Sequence, residues 1–284
     1  MGPDPGGPLR VALACEDQAQ RALLMHLSRN VVLKEAHRRQ ADWLADTLDQ
    51  QMAFCGLKDH AETPEHLRFY HHDHIAKDFG ELRIGGRPVR LNALREGRPA
   101  GPEAQRWRRL TILFGAQPSP PDVLMIALDT DGHPERREAL QAARSEASTA
   151  PIAVILATPH PEAEAWFVAG FEPLDGEEAA RLDALRKDRD KKLNFIPTEE
   201  PHRLTAHPND APTDAKRVLR FLMFGDYTSR APELSELPDL CERLLGDLDR
   251  LTRRSAATYL GEFLRELREI LVPLLLPGPP PSSS

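Results

Sequence analysis

The sequence predicts an α/β fold: a parallel sheet flanked by helices, followed by a helical C-terminal extension. Three observations carry that expectation. Short apolar runs at residues 9–14, 123–128 and 152–157 read as buried strands. Each is followed by apolar positions at helical spacing. The strand–helix–strand–helix order over residues 123–170 requires crossover connections, and crossovers make neighbouring strands parallel.

Residues 1–8 are Gly/Pro-rich and read as a flexible lead-in. The first strand, 9–14, runs into Cys15-Glu16-Asp17-Gln18. A helix over 19–28 follows, with Ala22, Leu23, Leu24 and Leu27 on one face. Trp43, Leu44, Leu48 and Met52 favour a helix within 31–52. Residues 58–109 form an inserted His- and Arg-rich section. It holds His71-His72-Asp73-His74, which reads as a surface loop, and a hairpin over 81–91 centred on Gly85-Gly86. Trp107, Leu110 and Leu113 predict a helix over 105–113.

The second strand ends in Asp129-Thr130-Asp131-Gly132. A Glu-, Arg- and Ala-rich helix is expected over 134–148. The third strand breaks at Thr158-Pro159-His160-Pro161, and Pro161 can open a helix over 162–170. Residues 175–195 read as a charged helix and 196–213 as a Pro-rich loop. Residues 213–223 read as a helix, and the helical extension as one stretch from 237 to 275 broken before Thr252 or near Gly261. The domain reading is 9–225 for the α/β domain, 226–276 for the extension and 277–284 for a disordered tail.

Composition excludes several classes. The chain is 40% hydrophobic and 29% charged, as a globular protein is. No run approaches the roughly 18 apolar residues of a membrane span, and the N-terminus lacks a signal-peptide pattern. A cytoplasmic location without membrane attachment is the expectation. Cys15, Cys55 and Cys241 are too far apart in sequence for a zinc spacing or a disulfide framework. The net charge of −7 carries no global signature of nucleic-acid binding. Residues 83–109 are locally basic, however. Arg83, Arg87, Arg90, Arg95, Arg98, Arg106, Arg108 and Arg109 stand against Glu96 and Glu103, and arginine suits phosphate.

The chemistry points to the strand ends. Asp129 and Asp131, one residue apart, form a compact negative site that calls for a hard cation such as Mg²⁺ or Mn²⁺. Ligands of open α/β sheets bind at the carboxyl ends of strands. If the first two strands are parallel neighbours, Glu16 joins the pair there. The alternative for each acid is structural: a turn residue, or a helix N-terminal acid favoured by the macrodipole. His160, in the loop after the third strand, is a candidate proton shuttle. Trp166 and Phe167 read as core.

A strand ending in an acid, a helix, and a later strand ending in Asp-x-Asp-Gly resemble the TOPRIM domain. The closest likeness is to small stand-alone bacterial members related to the overcoming-lysogenization-defect nucleases. Two further segments resemble theirs: Glu162-Ala163-Glu164-Ala165-Trp166, and Asp214-Ala215-Lys216-Arg217. The matched positions span residues 9–222. The resemblance implies metal-dependent phosphodiester cleavage of DNA or RNA. It implies Glu16, Asp129 and Asp131 as metal ligands and catalytic acids, Glu164 as a further ligand, and Lys216 as a phosphate contact. Arg87, Arg90, Arg106 and Arg109 would hold the nucleic-acid backbone. An ATPase partner and a role in defence against phage are implied in the same way. The family usually has Gly after the first acid and another acid four residues on; here these are Asp17 and Gln20, and residue 133 is His where small residues are common. An inactive TOPRIM-like interaction module is therefore one alternative. Another is a haloacid-dehalogenase-like phosphohydrolase with Asp129 as nucleophile, whose motif usually has Thr after the Gly.

Overall fold

The computed structural model describes residues 7–59, 62–64, 67–91, 94–95, 98–99, 101–146, 152–187, 193–207, 211–227 and 236–277. Its centre is a parallel sheet. β1 (Leu9–Cys15) pairs with β2 (Met52–Cys55), with β3 (Tyr70–His71) further along, and with β8 (Val123–Ala127); β8 pairs with β9 (Ala153–Ala157). The order is β2-β1-β8-β9, and every one of these pairings is parallel. This is the α/β architecture that the apolar runs predict, since parallel strands are covered on both faces.

The two faces divide the strand residues by parity. Val11, Leu13, Cys15, Val123, Met125, Ala127, Ile155 and Ala157 face one core. Helices α1 (Gln18–Arg38), α2 (Trp43–Gln51), α6 (Ala163–Gly170) and α8 (Ala215–Phe224) cover it, with the C-terminal helices α9 (Leu237–Leu245), α10 (Leu248–Arg254), α11 (Leu260–Glu266) and α12 (Val272–Leu275). Ala12, Ala14, Leu124, Ile126, Leu128, Val154 and Leu156 face the other. That side is closed by α3 (Ile75–Glu81), α4 (Pro102–Gly115) and α5 (Pro134–Glu146). The charged α7 (Gly176–Lys187) packs on α8.

Several boundaries differ from the sequence reading, each for a local reason. α1 runs to Arg38, ten residues past the expected end at 28, because Val31, Val32 and Ala36 continue its buried face. Residue 52 begins a strand instead of ending a helix: Met52 pairs with Leu9, and a four-residue strand carries too little pattern to be read alone. The helix expected over 175–195 stops at Lys187; Leu193 and Phe195 are core residues of the following loop, and 188–192 lie outside the described residues. The C-terminal stretch breaks at both of the expected places instead of one, at Gly246–Asp247 before Thr252 and at Ser255–Tyr259 near Gly261. Asp247 caps α10 by accepting from the amides of Asp249 and Arg250, and Tyr259 adopts a left-handed φ of 63°.

The hairpin forms as β4 (Arg83–Ile84) against β5 (Arg87–Pro88), with Gly85 and Gly86 both at positive φ. A second short pair, β6 (Leu94–Arg95) and β7 (Arg98–Pro99), follows. The histidine run is not a surface loop throughout. His71 ends β3, and His72–His74 form a 3-10 turn that buries His72. No helix among the described residues is long and apolar enough to cross a membrane.

The C-terminal helices hold the outer edge of the sheet through side chains. Glu266 accepts from the Leu156 backbone amide of β9 at 3.0 Å and from Arg144 of α5 at 2.6 Å. Glu262 pairs with Arg137, whose guanidinium also lies 4.2 Å from the centre of the Tyr259 ring.

Candidate functional site

The topology fixes where the acids meet. After β1 the chain crosses to β2 on one side and later returns to β8 on the other, so the strand order reverses between β1 and β8. Their register, with Ala14 opposite Ile126, brings Glu16 and Asp129 to the same carboxyl edge of that junction. This is the crevice that open α/β sheets use for ligands.

Local structure then orients each carboxylate. Asp17 caps α1 by accepting from the Gln20 amide at 2.8 Å, and the Gln20 side chain accepts from the Glu16 amide at 3.0 Å. The pair is a variant of the capping box in which Gln20 reaches the amide one residue before the N-cap, and it fixes the backbone that presents Glu16. Beyond β8, the amides of Thr130 and Asp131 donate to the carbonyls of Pro159 and Pro161. Asp131 takes a left-handed φ of 50° and Gly132 one of 77°. Gly132 suits such a turn because it has no Cβ; Asp is among the few other residues that tolerate it. The Asp129 side chain reaches the start of α6 and accepts from the Ala163 amide at 3.1 Å. α6 therefore directs its positive N-terminal end at Asp129.

Glu162 and Glu164 come from that same helix start, and Lys216 from the first turn of α8 (Lys216 Nζ to Glu162 Oε2, 2.8 Å). Glu162 is buried at 1% exposure, and its other oxygen, Oε1, has no hydrogen-bond partner. Asp214, equally buried, caps α8 by accepting from the Arg217 amide and leaves Oδ2 unpartnered.

Electrostatics show that these groups share one field. Burial raises the Asp129 carboxyl well above its ordinary range, and Glu164, Glu16, Glu162 and Asp131 add repulsion. Burial likewise pushes Glu164 up to about 7, with Glu162 repelling it and Lys216 opposing the rise. Glu16 is raised by burial, against the attraction of Arg136. Burial alone would lower Lys216, but Glu164, Glu162 and Asp129 outweigh it and hold the ammonium charged. An accumulation of carboxyls that resist ionisation is a feature that functional sites share with structural ion-pair networks.

Two cations of the chain already supply part of it. Arg136, in the first turn of α5, is hydrogen-bonded to Asp131 and lies 3.8 Å from Glu16. Lys216 serves Glu162. Among the described residues no three acidic, histidine or cysteine side chains stand ready to ligate one ion. The donor chemistry nevertheless suits a hard divalent cation: the oxygens are carboxylate oxygens, and those of Glu162 and Asp214 that lack partners are buried beside them.

His160 is held by Thr130, the residue between the two aspartates. Its Nδ1 lies 2.8 Å from Thr130 Oγ1, and that hydroxyl donates to the Pro161 carbonyl at 3.2 Å. With its one proton given to Pro161, Thr130 receives the Nδ1 proton, which leaves Nε2 of the neutral ring an acceptor. Burial and the charge of His202 lower the His160 pKa, favouring that neutral form.

The structure therefore gathers Glu16, Asp129, Asp131, Glu164, Lys216 and His160 at one edge. Arg106 belongs to the periphery: it sits 3.6 Å from Asp73 and its charge reaches Glu16. Arg109 lies over the Phe79 ring at 5.6 Å. Arg87 and Arg90 are exposed on and after the hairpin, and neither pairs with the carboxylates. The side chains of Arg95 and Arg98 lie outside the described residues. Trp166 is core: it is fully buried, donates to the Thr258 carbonyl at 2.8 Å and stacks on Phe263. Sequence reasoning missed Arg136 and the structural role of Gln20, and it named Asp214 only as part of the resembling segment, with no role at the site. Arg136 had one signal, its position in the first turn of a helix that starts just after the acidic pair.

The fold and the site thus define a class, an α/β protein with a buried carboxylate centre at the switch point of its sheet. Compared with protein-family models, with curated proteins and with solved structures, the chain matches none.

Proposed function

We propose that this centre holds Mg²⁺ or Mn²⁺ and cleaves a phosphodiester of DNA or RNA, in the manner of the TOPRIM nucleases that the sequence resembles. The convergence of Glu16, Asp129, Asp131 and Glu164 at the β1–β8 switch point supports this most directly: burial raises the carboxyls of Glu16, Asp129 and Glu164, and neighbouring acids add repulsion. A bound divalent ion supplies Lewis-acid polarisation of a phosphoryl oxygen and orientation of the attacking water. Glu16, Asp129, Asp131 and Glu164 would hold it. His160, whose neutral ring keeps Nε2 as an acceptor, would be the proton shuttle for that water. Arg136 and Lys216 offset the charge developing on the phosphate. Arg106 and Arg109 of α4, with Arg87 and Arg90 of the hairpin, supply cations for the flanking backbone. The ATPase partner and the defence setting rest on the resemblance alone.

Asp129→Asn and Asp131→Asn each keep the side-chain shape and remove a charge. Both should abolish Mn²⁺-dependent nicking of supercoiled plasmid while circular dichroism stays native. Nicking at the wild-type rate in both variants rules the nuclease reading out.

One observation favours a second reading. Arg136 and Lys216 already neutralise Asp131 and Glu162, as an inactive interaction module would require. That reading predicts no hydrolysis with any divalent ion and stable co-purification with a partner. Asp129 as a phosphohydrolase nucleophile fits less well, because its carboxyl resists ionisation and one oxygen is spent on the Ala163 amide.

A further inference from the structure

A cleft of about 480 Å³ opens between α3 and the loop that precedes β3. We propose that it seats one nucleotide unit of the nucleic-acid strand bound at the carboxylate centre. Its position comes first. Cys15 pairs with His71 in the β1–β3 register, so the cleft, which His71 lines, lies beside the strand end that carries Glu16.

Its chemistry is divided as a nucleotide is divided. Leu57, Leu67 and Phe69 give an apolar wall that suits the face of a base, and Leu67 is 45% exposed. Lys58 and Lys77 give the cleft cationic groups, and His71 and His74 line it as well. The acids of the cleft are already engaged. Asp78 accepts from Lys58 at 2.5 Å and from the Tyr70 hydroxyl at 3.0 Å, and Asp59 accepts from the Gly56 amide at 2.6 Å. Lys77 is exposed and forms no ion pair among the described residues, which leaves its ammonium for an incoming anion. The volume is in the range of small-ligand sites. Arg106, next to Asp73 and felt by Glu16, continues the positive charge from the cleft to the catalytic carboxylates. A phosphodiester backbone can follow that line while a base lodges against Phe69.

The identity of the strand rests on the nuclease reading, but the cleft can be tested without cleavage. The full chain is titrated with a short fluorescein-labelled single strand in EDTA. Lys77→Glu should weaken binding about tenfold or more, the loss expected for a charged hydrogen bond, and should lower the salt slope by about one. Lys77→Arg should restore both, whereas Arg253→Glu on the remote α10 should leave both unchanged. Unchanged affinity in Lys77→Glu, an equal loss in Arg253→Glu, or no binding by the wild type overturns the proposal. So does displacement of the strand by AMP near the strand's own Kd, which assigns the cleft to free mononucleotides. Failure of metal-dependent nicking with this binding intact refutes the nuclease reading and leaves the cleft standing.

Discussion

Glu164 shows how much a single side chain can report. Burial and the neighbouring Glu162 push its carboxyl up to about 7 in the folded protein from an ordinary 4.5. The folded state thus holds this proton more tightly than the unfolded chain does. Its contribution makes stability fall as pH rises between those values, and the loss is complete above about 7. Urea midpoints for the wild type should fall over that window, and Glu164→Gln should flatten the trend. A divalent ion at the centre reverses the penalty, so Mn²⁺ should raise the midpoint more at alkaline than at acidic pH. Which residues were legible divides along physical lines. Glu16, Asp129 and Asp131 could be read because strand ends are visible in one dimension, whereas Glu164, in the first turn of α6, came only from the TOPRIM resemblance. Asp17 and Gln20 looked like departures from a catalytic pattern. They are instead the capping pair of α1, a role that shows only once the helix start is fixed. Arg136 and Asp214 join the centre through packing, to which sequence spacing is blind.

The elements differ in legibility because they differ in length and burial. β8 and β9 are fully or nearly fully apolar and stood out. β2 and β3, of four and two residues, exist only because β1 offers them a partner. α6 is the element on which the site depends most. It is buried on nearly all sides, presents Glu164 and receives Asp129 at its first amide. Gly170, its last residue, lets the α9 backbone approach so closely that an added Cβ would lie 1.6 Å from the Leu244 carbonyl oxygen. No side-chain movement relieves a collision with backbone. Gly170→Ala should therefore cost about 1–3 kcal/mol or more, as overpacking of a tight core does. A chemical-denaturation midpoint equal to the wild type's would contradict this close contact. Since α6 must shift to accommodate the methyl group, the variant should also weaken the Mn²⁺ binding proposed for the centre.

The whole molecule is a sheet closed on both faces, with its chemistry at the point where the strand order turns. That arrangement followed from the order of apolar runs and helical segments. The position of the C-terminal helices did not, because nothing in their own spacing says which face or edge they cover. They reach the sheet through Arg137–Glu262, Arg144–Glu266 and the Leu156 amide. Glu266→Ala leaves that amide and Arg144 without their acceptor and should cost about 1–3 kcal/mol. Thermal unfolding with and without the substitution measures it.

The Glu266 carboxylate has a further consequence, for how chains meet one another. An open parallel sheet ends in a ladder of unused amides and carbonyls, a template onto which a second chain can add a strand. In this protein the β9 side of that template carries an acceptor from the same chain, one that brings negative charge with it. Copies of the protein that approach along β9 find the amide of Leu156 taken and a carboxylate in the way. The helices at the end of the sequence thus act as an insulator against self-templating as well as a support. The Glu266→Ala protein should accordingly show concentration-dependent association in sedimentation velocity where the parent sediments as one species.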